Sequence, residues 1–142
     1  MRKISVIIPT YNRSTVIQKT IRSVQEQTHN NIEILVCDDG STDTTYQIIQ
    51  EMIKKDDRIK WIPGRHTGLP AIPRNNGISA STGNFLTFLD SDDHWEANKL
   101  TTQLKEMEER NINCSCPNAH TDNKARMHRN VPIIIKYPDL LL

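Results

Sequence analysis

Residues 4–9, Ile4-Ser5-Val6-Ile7-Ile8-Pro9 (ISVIIP), decide the architecture. The run is rich in β-branched residues, and its apolar positions do not alternate with polar ones. A strand with one wet face alternates; a strand covered by helices on both faces does not, and such strands belong to parallel sheets. Just downstream, Val16, Ile17, Thr20, Ile21 and Val24 fall on one face of a helix that Asn12 or Ser14 can cap and that ends before Thr28-His29-Asn30-Asn31. The unit then repeats. Residues 32–37 (IEILVC) form a second buried strand, followed by Asp38-Asp39-Gly40-Ser41-Thr42-Asp43 and a helix with Thr45, Ile49, Met52 and Ile53 inward. Residues 59–62 are a short third strand and 63–70 a loop; residues 71–81 are a short helix halted by Gly83, and 85–89 the next strand. A helix over about 97–110 carries Leu100, Leu104 and Met107 on one stripe, with the charges of 105–110 on a solvated face. Residues 112–116 are a candidate strand and 118–130 are polar, basic and aperiodic. The apolar residues of 131–135 and 140–142 have nothing downstream to pack against. Alternating strands and helices predict a three-layer α/β/α sandwich around a mostly parallel sheet, with 1–142 as one domain.

Composition narrows the class. The 142 residues suit one core-forming domain, and 18 Lys plus Arg against 17 Asp plus Glu leave a net charge of +1. No global field draws such a chain to nucleic acid, and any charge that matters is local. Three cysteines, Cys37, Cys114 and Cys116, leave an odd thiol, which points to a reducing compartment; Cys114-Ser115-Cys116 reads as ordinary strand residues rather than a zinc site. Nothing approaches the ~18 apolar residues of a membrane span. The first apolar run is cut off by Pro9-Thr10-Tyr11-Asn12 before a signal-peptide core could form. A cytoplasmic location is expected, with attachment at the inner face of the cell membrane left open.

The chemistry collects at the strand ends. In open α/β sheets ligands bind beyond the carboxyl ends of the strands, and three ends carry polar clusters: Pro9 to Arg13, Asp38 to Asp43, and Asp90 to Asp93. If these strands are parallel, the clusters share one edge. Asp38-Asp39-Gly40-Ser41 alone could be a turn and helix cap. Asp90-Ser91-Asp92-Asp93 is harder to explain structurally, because three carboxylates so close together repel one another. Hard oxygen ligands at this density suit Mg²⁺ or Mn²⁺, held by one or two carboxylates with phosphate oxygens completing the shell. On an extended segment, Asp90 and Asp92 would point the same way toward one ligand. The Asp38-Asp39 loop alongside offers a carboxylate for a base or ribose. Neither G-x-G-x-x-G nor a Walker lysine occurs, so nucleotide binding would be metal-led. The histidines at 29, 66, 94, 120 and 128 lack ligand spacing and read as surface or loop residues, with His66 and His94 near the pocket.

The succession ISVIIPTYNR, ILVCDDGSTD and HTGLPAIPRNNGISASTGNFLTFLDSDD resembles the nucleotide-sugar half of family 2 glycosyltransferases of GT-A fold, over about residues 3–118. The resemblance implies transfer of a sugar from a nucleotide diphosphate donor, most often a UDP-sugar, to a hydroxyl acceptor with inversion, aided by Mg²⁺ or Mn²⁺. It implies that Pro9 and Tyr11 line the nucleoside pocket and that Asp39 hydrogen-bonds the uracil. Arg74 would approach the diphosphate or a nearby acidic residue, Asp90 would meet the ribose or sugar, and Asp92 the metal. Gly68 and Gly83 fit the family's backbone turns, while Asp38 and Asp93 suit packing or capping equally well. The family places its catalytic base and acceptor-binding residues downstream, beyond Leu142. Residues 116–119 resemble the start of its next strand and loop, and 137–141 what precedes the one after. The expectation is therefore a truncated, donor-half hexosyltransferase from surface glycan or polysaccharide assembly, with a glycan or lipid-linked acceptor and weak or no transfer by the isolated chain. Three rivals remain: a nucleotide-sugar-binding remnant without transferase activity; a nucleotidyltransferase, disfavoured because PTYNRST is no Gly-rich phosphate loop; and an interaction module.

Overall fold

The computed structural model describes residues 2–115 and 134–136. In chain order the elements are β1 (Ile4–Thr10), α1 (Ile17–Gln25), β2 (Ile32–Asp38), α2 (Thr45–Ile53), β3 (Ile59–Ile62), α3 (Ala71–Ala80), β4 (Phe85–Phe88), α4 (Lys99–Arg110), β5 (Cys114–Ser115) and β6 (Ile134–Lys136). They build a sheet of order β3-β2-β1-β4-β6-β5. The first four strands in that order are parallel, with Ile4 opposite both Ile32 and Phe85. β6 runs antiparallel to β4 and β5. The expected mostly parallel α/β sandwich is what forms.

Both sheet faces are covered, which is why β1 does not alternate. Ile4, Val6 and Ile8 share a core with Ile17, Ile21 and Val24 of α1, Ile49 of α2 and Leu100 and Leu104 of α4. Ile7 turns to the opposite face, where it joins Leu35, Cys37 and Leu86 beneath Ile78 and Ala80 of α3. Helix α3 lies very close to the sheet: a Cβ on Gly77 would come 2.5 Å from Ile7 Cγ2 and 2.8 Å from Cys37 Sγ. Glycine in mid-helix costs about 1 kcal/mol relative to alanine, and here it permits that approach. Pro73 is the third residue of α3, where its missing N–H would have had no intrahelical acceptor.

Several expectations need correction. Neither Asn12 nor Ser14 caps α1, which starts behind Val16 with no side-chain cap. Asn12 instead adopts φ 50° and accepts hydrogen bonds from the Thr42 and Asp43 amides, so its side chain ties two loops together. His29 lies in a loop, one of the two expected settings, but is buried there, with Nε2 2.9 Å from the Arg2 carbonyl oxygen. Ile134, expected to lack a packing partner, is fully buried in the strand between β4 and β5. The expected strand over 112–116 is described only as Cys114–Ser115. Readings of Cys116, His120, His128 and the segments 116–133 and 137–142 lie outside the described residues.

Candidate functional site

Parallel pairing brings the carboxyl ends of β1, β2 and β4 to one edge of the sheet. The loops leaving them are stitched together before any ligand is considered. The Asp39 amide donates to Thr10 O at 2.8 Å, the Asn12 amide to Ser41 Oγ at 2.9 Å and the Ser14 amide to Asp43 Oδ2 at 3.1 Å. Asp43 also accepts from the Thr45 amide at 2.9 Å at the start of α2. Burial alone would raise the Asp43 carboxyl, but the hydroxyls and amides of Thr45 and Ser14 outweigh it and hold it at about 2. Asp38 closes its own turn, accepting from the Gly40 and Ser41 amides and the Ser41 hydroxyl. That is a turn-closing role.

Asp39 faces the next loop. Its Oδ1 accepts from the Thr67 amide at 3.0 Å and the Thr67 hydroxyl at 2.8 Å, and its Oδ2 from the Gly68 amide at 3.0 Å. His66 Nδ1 lies 3.1 Å from both Asp39 Oδ2 and the Asp39 carbonyl oxygen. Burial pushes this carboxyl upward, yet these donors and the nearby His66 prevail and keep it below the ordinary aspartate value. The His66 ring stacks on Tyr11, with centroids 4.2 Å apart and planes 19° from parallel. Gly40, at φ 77°, lets the 66–68 loop settle here: a Cβ would come 2.6 Å from the His66 amide nitrogen. Pro9, half-buried, pairs with Cys37 one residue before β1 ends.

The Asp-X-Asp segment departs from the extended form expected of it. β4 ends at Phe88, and Asp90–Asp93 is a turn closed by the Asp93 amide donating to Asp90 O at 3.0 Å. Asp90 and Asp92 therefore cannot be aligned by strand alternation. Thr20 Oγ1, donating to Ser91 O at 2.9 Å, and the Trp95 amide, donating to Ser23 Oγ at 3.1 Å, pin this turn to α1. Arg74, reaching from α3, holds Asp90 Oδ1 at 2.7 Å. Asp92 is exposed, with Arg13 Nη2 3.9 Å away. Among the described residues no three His, Cys, Asp or Glu side chains are grouped to hold a metal. The described residues thus offer no closed cage, and Asp92 is an exposed carboxylate of the turn.

Tyr11, Asp39, Arg74, Asp90 and Asp92 all lie on loops, or on the flank of α3, around this edge. The sequence by itself does not distinguish Thr67 or Arg13. Thr67 lies in the HTG stretch, whose only legible signal is a turn, and Arg13 becomes visible only once β1 and β4 are neighbours.

The description Glycosyl transferase family 2 matches residues 5–140. An uncharacterized glycosyltransferase of Rickettsia conorii is 47% identical over 122 residues, 86% of this chain and 20% of that protein. The GalNAc(5)-diNAcBac-PP-undecaprenol beta-1,3-glucosyltransferase of Campylobacter jejuni is 40% identical over 110 residues, 77% of this chain and 36% of that protein. The chain therefore spans only about a fifth to a third of the length of these relatives. Among solved structures, the S. aureus TarS 1–349 complex with UDP-GlcNAc superposes with a TM-score of 0.73 at 29% identity, over 87% of this chain and 37% of that one. Motif order, sheet topology and these likenesses agree: the chain belongs to glycosyl transferase family 2 and has the GT-A fold.

Proposed function

We propose that this chain carries the donor site of an inverting glycosyltransferase that uses a UDP-sugar in surface glycan assembly. The observation that carries this reading is the convergence of an aromatic ring, Tyr11, with the carboxylates of Asp39, Asp90 and Asp92 on one sheet edge. Tyr11 offers a face for a planar base and Asp39 accepts from a base N–H. Arg74 holds Asp90 beside the ribose or sugar and is itself a candidate diphosphate partner. A divalent cation at Asp92, Mg²⁺ or Mn²⁺, would supply charge neutralisation to the departing diphosphate. Arg13, beside Asp92, adds positive charge on the same side. The acceptor, a glycan or lipid-linked hydroxyl, is activated by a base outside the residues assigned here. No helix among the described residues is long and apolar enough to cross a membrane, and we place the enzyme at the cytoplasmic face of the membrane that carries such acceptors.

The test is calorimetric titration of UDP into the purified chain with Mn²⁺, then with EDTA. Metal-dependent binding is expected, weakened about tenfold by Asp39→Ala, as for loss of a hydrogen bond to a charged group. A folded chain that binds no UDP under either condition would refute the donor reading.

A further inference from the structure

Resting on the donor-site reading, we propose that His66 is a built-in stand-in for the nucleobase, occupying the base's place on Tyr11 and Asp39 until the donor displaces it. The imidazole is a planar heteroaromatic ring stacked on Tyr11 at a 4.2 Å centroid separation. Its Nδ1 lies 3.1 Å from two acceptors, Asp39 O and Asp39 Oδ2, so that nitrogen carries hydrogen. A ring on Tyr11 with an N–H aimed at Asp39 is also what a pyrimidine with a ring N–H would present. The two cannot share the same face of Tyr11. Rings 4.2 Å apart leave no room for a third between them, and the Asp39 carboxylate already accepts from Thr67 N, Thr67 Oγ1 and Gly68 N, with His66 Nδ1 3.1 Å from Oδ2.

Of these donors His66 is the one suited to leave. Two of the others are backbone amides, and the Thr67 hydroxyl belongs to a residue whose amide is fixed to the same oxygen. The imidazole sits on a rotatable side chain 51% exposed, and its one hydrogen bond is to the Asp39 carbonyl oxygen, with the carboxylate only a close neighbour. Turning outward takes it into solvent while Thr67 and Gly68 keep Asp39 oriented for the incoming base. The exchange replaces one stack and one N–H contact with another of the same kind. The cost of removing His66 is therefore subtracted from donor affinity, and the residue sets how tightly the donor is held.

The test titrates UDP with Mg²⁺ into the 142-residue chain and into His66→Ala, His66→Phe and Tyr11→Ala. His66→Ala is expected to bind UDP about 3- to 10-fold more tightly, the range of one aromatic stack. His66→Phe, which keeps the stack and loses the N–H, should gain less, and His66→Ala should bring no gain in a Tyr11→Ala background. In NMR, the His66 ring protons should show a Tyr11 ring-current shift that disappears on UDP addition; a merely structural loop histidine would keep it. Unchanged or weaker binding by His66→Ala, or a ring-current shift that persists in the complex, overturns the stand-in and leaves the donor site in place. Absence of UDP binding in wild type and variants alike overturns both.

Discussion

The two ends of the sheet use carboxylates in opposite ways. At the end where β1 and β2 begin, Glu33 is only 2% exposed and accepts from Ser5 Oγ and the Thr82 amide, both at 2.6 Å. Lys3 Nζ and Lys60 Nζ each lie 3.0 Å from its other oxygen. Burial alone would raise this carboxyl, but those donors overcome it and hold it at about 2. At the far end, Asp39 and Asp90 are also satisfied, but there the fixed loop amides and one hydroxyl are joined by two rotatable, partly exposed side chains, His66 and Arg74. Among the described residues Asp92 has only a long contact to Arg13. A carboxylate whose donors stand on neighbouring strands and a tight turn is part of the fold. One whose donors can rotate away is available to a ligand.

The strongest way to break this contrast is Glu33→Ala, which leaves two lysines facing a vacated, buried acceptor site. A loss of about 2–3 kcal/mol in urea unfolding is expected, because the Ser5 hydroxyl and Thr82 amide lose their acceptor while the partly exposed Lys3 and Lys60 can turn to water. A loss below about 1 kcal/mol would put Glu33 on the same footing as an exposed pair. Acid unfolding sharpens the point. The folded value of about 2 lies below the ordinary 4.5, so the contribution is complete above pH 4.5 and is lost as pH falls toward 2. That window should account for stability of order 3 kcal/mol, measured as the wild-type urea midpoint against pH minus the same curve for Glu33→Gln.

How much of this could be read from the residues differs between the same two ends. The parallel sheet follows from ISVIIP and IEILVC because burial on both faces leaves a direct mark on composition. The acidic strand ends were equally plain, since polar clusters directly behind apolar strands have few structural explanations. Glu33 was passed over: a single acid inside IEILVC signals a buried, partnered charge, but its partners Lys3, Ser5, Lys60 and Thr82 are far apart in sequence. The same limit hid the Tyr11–His66 stack, whose members are joined only through the 66–68 loop docking on Gly40. Asp90-Ser91-Asp92 was misjudged as extended because the strand residues before it do not reveal where pairing stops; the Asp93-to-Asp90 hydrogen bond ends it. Asn12 was misassigned because a residue that can cap a helix can equally tie a neighbouring loop, and only the loop's position decides.

A smaller effect separates binding from stability at the ligand end. Asp92→Asn removes an exposed carboxylate with a 3.9 Å ion contact, so unfolding free energy should shift by less than about 0.5 kcal/mol. UDP affinity in Mg²⁺ should nevertheless fall about tenfold, in line with a charge-assisted ligand contact. Matched losses of stability and affinity would erase the distinction between the two ends. An unchanged affinity would move the cation site away from Asp92.

Lys99 tests the rule from the other side, as a half-buried charge held by neither kind of partner. Its Nζ lies 3.7 Å from the Trp95 ring centroid and 3.4 Å from Thr87 Oγ1, and no carboxylate among the described residues is within ion-pair distance. It also opens α4, where the helix dipole disfavours a cation. Burial pushes its ammonium down to about 7 from 10.5. Between those values the unfolded chain binds more protons than the folded one, so stability should rise as pH climbs from about 7 toward 10.5. Lys99→Met keeps the buried methylenes and removes the charge. At pH 7 it should be more stable by about 1 kcal/mol, the desolvation relief exceeding a cation–π contact of similar size, and the alkaline rise should flatten. A variant that is instead destabilised by more than about 2 kcal/mol would show that the indole and the Thr87 hydroxyl suffice to hold a half-buried charge. Partnership by strand-borne carboxylates or lysines, as at Glu33, would then not be what distinguishes a structural charge in this fold.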